Sequence, residues 1–309
     1  MNKKILIADD LHPVFKEEVE KLGFECDYQP LISKEEAVKT LSGYFGLVIR
    51  SRFVSDQEII DAGKSLKFIA RAGAGMDNVD ENYASSKGII CINAPEGNRD
   101  AVAEHAIGML LSLMNNLCKA DREVRKGIWN REANRGWELK GKTVGIIGYG
   151  NTGQSFARKL LGFDVETIAY DKYKTGFSDA YAQEVSMEQI VKYADVLSLH
   201  IPLTRETRQL VTDEYLFHFK KPFFFLNTSR GEIVNTEAIL NALKSGKILG
   251  AGLDVLEAES FPALAQQTWY EDLMQSENII LSPHVAGWTI DSYRKISEVL
   301  AEKLKNLHF

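Results

Sequence analysis

The 309-residue chain is predicted to be an α/β protein built from two doubly wound parallel sheets. Three observations predict it. Short apolar runs alternate with helical patterns along almost the whole chain, as buried parallel strands joined by crossover helices do. A turn-rich break at 93–98 (NAPEGN) divides the alternation into two series. The second series opens on a glycine-rich turn between an apolar strand and a helix.

In the first series, 4–8 (KILIA) reads as a strand. Residues 12–22 read as a helix with Val14, Phe15, Val19 and Leu22 at helical spacing, and Gly23 follows as a stop. Further strands are expected at 24–28, 46–49, 67–70 and 89–92. After the break, 99–127 reads as one long helix with an apolar stripe of Val102, Ala106, Met109, Leu110, Leu113, Met114 and Leu117. Such a stripe suits an ordinary core helix, one that crosses between domains, or one that packs on a second subunit.

The second series has strand patterns at 143–147, 166–170, 196–199, 223–227, 249–253 and 279–281, with helices starting near Asn151, Ser186, Asn235 and Glu271. A last helical segment, 289–307, has no strand after it and is expected to return to the first series. The expected domains are therefore 1–97 completed by 288–309, and 98–287 inserted between them.

Composition narrows the classes. Hydrophobic residues make up 45%, enough to build cores without covalent staples. A net charge of −6 with no long single-sign run argues against nucleic acid or an anionic membrane as partner. Cys26, Cys91 and Cys118 lie far apart, which gives no disulfide framework. They read as small buried hydrophobes in a reducing cytoplasm. The start, MNKKILIADD, has too short an apolar run for a signal peptide, and no stretch is apolar enough to span a membrane. No pair of histidines has metal-ligand spacing, so no metal is expected.

The most informative local motif is 142–153, KTVGIIGYGNTG. Gly148 permits the tight turn, Gly150 lets the backbone approach a pyrophosphate, and Gly153 lets helix and strand pack closely. Asp171 follows the next strand, 21 residues after Gly150, where an acid can accept both adenosine ribose hydroxyls. It would repel a 2′-phosphate, which favours NAD over NADP, although Lys172 and Lys174 directly follow.

A nicotinamide enzyme acting on an alcohol needs a base for the hydroxyl proton, a cation for developing oxyanion charge, and a group to orient the base. Three strand-end loops carry these types: Arg230 in NTSRG, Glu259 in LDVLEAE and His284 in SPHVAG. The carboxyl ends of parallel strands are where such sheets bind ligands. Each residue also has a bland reading, as a surface arginine, one carboxylate among many, or a loop histidine.

These residues resemble the D-isomer-specific 2-hydroxyacid dehydrogenases. The likeness runs through RSR at 50–52, RAGAGMDNVD at 71–80, VAEHA at 102–106, VGIIGYGNTG at 144–153, LHIPLT at 199–204, NTSRGEIVN at 227–235, LDVLEAE at 253–259 and PHVAGWT at 283–289. It implies a flavodoxin-like substrate domain and a Rossmann NAD-binding domain, with a cleft that closes on substrate. It implies His284 as general acid/base, Glu259 as its orienting partner, and Arg230 on the substrate carboxylate and carbonyl oxygen. Backbone near Ala74 and Gly75 would form a second carboxylate clamp. Gly148, Gly150, Asn151, Thr152, Gly153, Asp171, Ile201, Pro202, Thr228, Ser229, Asp254 and Gly287 would line the NAD site.

The phosphoglycerate branch of the family, which serves serine biosynthesis, is the most similar. It implies Arg50, Ser51 and Arg52 at the substrate phosphate, with Arg131 reaching in from a neighbouring subunit of a homodimer. Leu256, Ser260, Lys172 and Val102 depart from the family pattern, and none removes a catalytic group. The chain stops at Phe309, so no serine-binding regulatory domain, and no feedback through one, is expected. A glyoxylate/hydroxypyruvate reductase, a D-lactate-type enzyme and an NAD(H)-sensing corepressor-like binding protein remain as alternatives.

Overall fold

A computed structural model describes residues 3–308. The chain divides into two compact units, one running to Arg99 and resuming at Gly287, the other spanning Asp100–Ala286.

The first unit holds a five-stranded, wholly parallel sheet: β1 (Lys4–Ile7), β2 (Glu25–Tyr28), β3 (Gly46–Ile49), β4 (Phe68–Arg71) and β5 (Ile90–Asn93). Their spatial order is β2-β1-β3-β4-β5, the flavodoxin-like arrangement. Successive side chains of β1 point to opposite faces. Ile5 and Ile7 join a core with Phe15, Val19 and Phe68, while Leu6 joins another with Leu47, Ile49 and Ile59. Burial on both faces is why the strand reads as a continuous apolar run. The C-terminal helix, Ile290–Lys305, packs here through Ile296, Leu300 and Leu304. Its backbone approaches Gly97 so closely that a Cβ there would lie 2.6 Å from the Ile296 Cα.

The second unit holds seven parallel strands: β6 (Thr143–Ile147), β7 (Glu166–Tyr170), β8 (Gln183–Glu184), β9 (Val196–Leu199), β10 (Phe223–Asn227), β11 (Ile248–Leu253) and β12 (Ile279–Leu281). The order β12-β11-β10-β9-β6-β7-β8 is the dinucleotide-binding one with an added strand at one edge. In β10, Phe223 and Phe225 enter one core while Phe224 and Leu226 enter the other.

Four details differ from the sequence expectation. The expected helix 99–127 is two helices, Pro95–Met114 and Leu117–Arg125, broken where Asn116 takes a left-handed φ of 53°. Asparagine tolerates that conformation better than most residues, and the apolar stripe runs through the break and hides it. Residues 93–98 are no simple turn, because the first of these helices starts on Pro95, a residue suited to a first helical position. The two-residue β8 is too short to show a period in sequence. Cys26 and Cys91 are half-buried, and burial pushes both thiols up to about 11, whereas Cys118 is exposed rather than buried. Among the described residues no helix is long and apolar enough to cross a membrane.

Candidate active site

β6 ends directly on the glycine turn. Gly148 has φ 92°, and a Cβ on it would lie 2.3 Å from the His200 carbonyl oxygen, so only glycine fits. A Cβ on Gly153 would lie 2.1 Å from the Gly148 carbonyl oxygen, which is how close the following helix comes to the strand. Gly150, by contrast, caps the helix Asn151–Leu160 and faces open space. The first N–H groups of that helix, at Asn151 and Thr152, have no earlier turn to bond to and can meet a phosphate.

Asp171 sits just past β7. Its Oδ2 accepts the Tyr149 N–H at 2.8 Å, and its Oδ1 accepts those of Tyr173 at 2.9 Å and Lys174 at 3.1 Å. Both following lysines are engaged elsewhere. Lys172 pairs with Glu206 at 2.6 Å, and Lys174 donates to the Tyr149 carbonyl at 2.9 Å. Ile201 lies against the glycine turn, since its Cγ2 would be 2.8 Å from a Cβ on Gly148, and Pro202 follows it, exposed. His200 is buried beside Ser198, and burial pulls its pKa down to about 3, so it is neutral and packs rather than titrates.

The three candidate chemical groups follow three adjacent strands, β10, β11 and β12. Arg230 leaves β10 in a loop closed by its own side chains. Asn227 Nδ2 donates to the Arg230 carbonyl at 2.9 Å, and Ser229 Oγ donates to the Leu199 carbonyl at 2.7 Å. The loop presses on the chain after β11, because a Cβ on Gly231 would fall 1.9 Å from the Leu256 carbonyl oxygen. Glu259 and His284 meet, with His284 Nδ1 2.8 Å from Glu259 Oε2. A carboxylate only accepts, so Nδ1 carries the proton of this bond, which leaves Nε2 as the nitrogen that can exchange one. Both side chains remain partly exposed, at 46% and 41%.

Asp254, directly after β11 and 2% exposed, shapes the histidine loop. Its carboxylate accepts the N–H groups of Val285 and Ala286, both at 2.9 Å, and the Ser282 hydroxyl at 2.5 Å. His105 Nε2 lies 2.8 Å from the same hydroxyl. Within this frame His284 takes a φ of 54°, uncommon for a side-chain-bearing residue and found where surroundings over-determine the backbone. His105 and Ser282 were not singled out from sequence. They stand 177 residues apart, and no local spacing signals the pair.

The remaining candidates lie as follows. Gly287 accepts the Ser292 hydroxyl at 2.9 Å. Ala74 and Gly75 follow β4, and the Ala74 carbonyl accepts from Asn93 Nδ2 at 2.6 Å. Arg50, Ser51 and Arg52 follow β3, and their three N–H groups converge on Asp9 Oδ2 at 2.7–2.8 Å. Arg131 is exposed on the segment after the helix Leu117–Arg125.

Two features of the second unit fit a dinucleotide. The open Gly150 face leaves room for a ligand where a side chain would intrude. The Thr228 hydroxyl, at the end of β10, is buried without a protein partner.

A parallel sheet in dinucleotide-binding order, with a His–Glu pair and an arginine at adjacent strand ends, defines a nicotinamide-dependent dehydrogenase. Residues 107–286 match the family model described as D-isomer specific 2-hydroxyacid dehydrogenase, NAD binding domain. A hydroxypyruvate reductase of Thermotoga maritima is 36% identical, covering 88% of this chain and 88% of its own. A D-3-phosphoglycerate dehydrogenase of Archaeoglobus fulgidus is 33% identical over 98% of this chain, which spans only 57% of that protein. The crystal structure of an Aquifex aeolicus D-lactate dehydrogenase complexed with NAD and lactic acid superposes with a TM-score of 0.82 at 26% identity, covering 98% of this chain and 94% of that one. The chain belongs to the D-isomer-specific 2-hydroxyacid dehydrogenase family, and its cofactor is NAD.

Proposed function

We propose that the protein interconverts a D-2-hydroxy acid and its 2-keto acid, with 3-phosphoglycerate and 3-phosphohydroxypyruvate as the substrate pair, a step of serine biosynthesis. The observation that carries the chemistry is the 2.8 Å His284–Glu259 pair. Glu259 fixes the imidazole so that Nε2 takes the hydroxyl proton in oxidation and returns one to the carbonyl oxygen in reduction. Arg230 binds the carboxylate and balances charge on the oxygen at carbon 2, aided by the backbone of Ala74 and Gly75. The bound nicotinamide supplies the hydride acceptor in one direction and the donor in the other.

Arg50, Ser51 and Arg52 are the proposed phosphate contacts, since a guanidinium meets phosphate oxygens in a two-pronged fashion. Arg131 is proposed to complete that subsite from a partner subunit. The exposed apolar residues Leu117, Val124, Ile128, Trp129 and Trp137, which flank it in the sequence, suit a homodimer, which light scattering of the purified chain would test. A second reading, hydroxypyruvate reductase, is favoured by the Thermotoga relative, which this chain matches over equal shares of both lengths.

A panel of 2-keto acids with NADH oxidation as readout separates these. The proposal expects the highest kcat/KM with 3-phosphohydroxypyruvate. A higher value with hydroxypyruvate or glyoxylate replaces it with the reductase reading. Tight NADH binding without turnover on any acid would point to a sensor.

A further inference from the structure

Arg50 is held at both ends. Its N–H shares Asp9 Oδ2 with those of Ser51 and Arg52, and its carbonyl accepts from Asn78 Nδ2 at 3.1 Å. Its guanidinium lies over the indole of Trp288, with Cζ 3.6 Å from the ring centroid. Trp288 stands four residues after His284 in the chain and is itself braced. Its ring meets Tyr293 edge-on at 5.3 Å, Tyr293 meets His12 edge-on at 5.5 Å, and the Tyr293 hydroxyl donates to Asp10. All of these residues lie in the first unit.

A cation stacked on an aromatic face uses the face of the guanidinium plane. The N–H donors lie in that plane and stay free to fork onto an anion. An unbraced arginine must give up rotamer freedom when it grips a ligand, whereas a stacked one has given it up on folding.

We infer that Trp288 is a positioning residue that pre-orients Arg50 as an anion fork and so sets the preference for a phosphorylated over an unphosphorylated 2-keto acid. The inference rests on the proposed reading of Arg50 as a phosphate contact. Trp288 touches no reacting atom in this scheme, so its loss acts on KM and not on kcat.

The test compares Trp288→Leu, Trp288→Phe and Arg50→Ala in the full chain, with NADH saturating, on 3-phosphohydroxypyruvate and on hydroxypyruvate. Trp288 is 40% exposed, and leucine keeps apolar volume while removing the π-face. In Trp288→Leu the KM for the phosphorylated acid should rise about tenfold relative to that for hydroxypyruvate, at unchanged kcat. Trp288→Phe, which keeps a face, should recover most of that ratio. An unchanged ratio in Trp288→Leu, with a raised one in Arg50→Ala, overturns the inference and leaves the phosphate reading standing. An equal KM rise on both acids also overturns it, because a merely structural role would do that. An Arg50→Ala variant that shifts neither ratio nor KM removes the phosphate reading itself.

Discussion

In the first unit, Asp9 stands just past β1 and gathers the N–H groups of Arg50, Ser51 and Arg52 from the loop after its neighbour β3. In the second, Asp254 stands just past β11 and gathers those of Val285 and Ala286 from the loop after its neighbour β12. Both carboxylates are buried, at 6% and 2% exposure. Both turn a strand-end loop into a fixed shape by pairing backbone donors that would otherwise be orphaned. The loops differ in what more is added. Asp9 uses one oxygen and only main-chain donors, whereas Asp254 uses both oxygens and also binds Ser282, which in turn meets His105. The difference follows the roles proposed for the side chains served. A long arginine with a charge felt over several ångströms tolerates a simply shaped loop. An imidazole that transfers a proton over hydrogen-bond distance needs its backbone held more tightly.

Substitutions can break this comparison. Arg230→Ala, which removes the cation proposed to bind the substrate carboxylate, should lower kcat/KM about 10²–10³-fold. NADH fluorescence titration should show the cofactor still bound. Asp254→Ala should come next, with kcat down about 100-fold as the His284 loop loses its frame. Asp9→Ala should act differently, raising KM for the phosphorylated acid about tenfold through the Arg50 loop while kcat holds. Its unpaired amides should also cost about 1–3 kcal/mol in denaturant unfolding. An equal kcat loss in Asp9→Ala and Asp254→Ala would erase the distinction between the loops.

The smallest effect sharpens the contrast between units through acid. Burial lowers the pKa of His200, in the second unit, to about 3, so the folded state holds it neutral while the unfolded chain protonates it. Its contribution is complete above the unfolded value near 6.5 and is lost as pH falls towards 3. By pH 5 the loss is about 2 kcal/mol. Melting of wild type and His200→Asn between pH 7 and 5 should show a shallower decline in the variant.

The glycine turn was legible because everything it needs is local: a strand, three glycines and a helix start within a dozen residues, then Asp171 one strand later. Family-wide motifs likewise pointed to His284, Glu259 and Arg230 as individual residues. Their shared edge came from the order β10-β11-β12, which follows from the crossover connections. The supports were not legible. Asp9 acts 41–43 residues away and His105 reaches Ser282 across 177, separations with no periodic signature. Trp288 read as one residue of a motif, and its place over Arg50 depends on the C-terminal helix packing against the helix Val14–Lys21 and β5. The break at Asn116 escaped because an apolar stripe records which face is buried and not whether the backbone is continuous.

The most direct test is turnover by His284→Ala in the full chain with saturating NADH and 3-phosphohydroxypyruvate or hydroxypyruvate. The account predicts a rate at least about 100-fold below wild type with NADH affinity retained. Turnover at the wild-type rate would contradict it, since the proton would then move without the His284 imidazole.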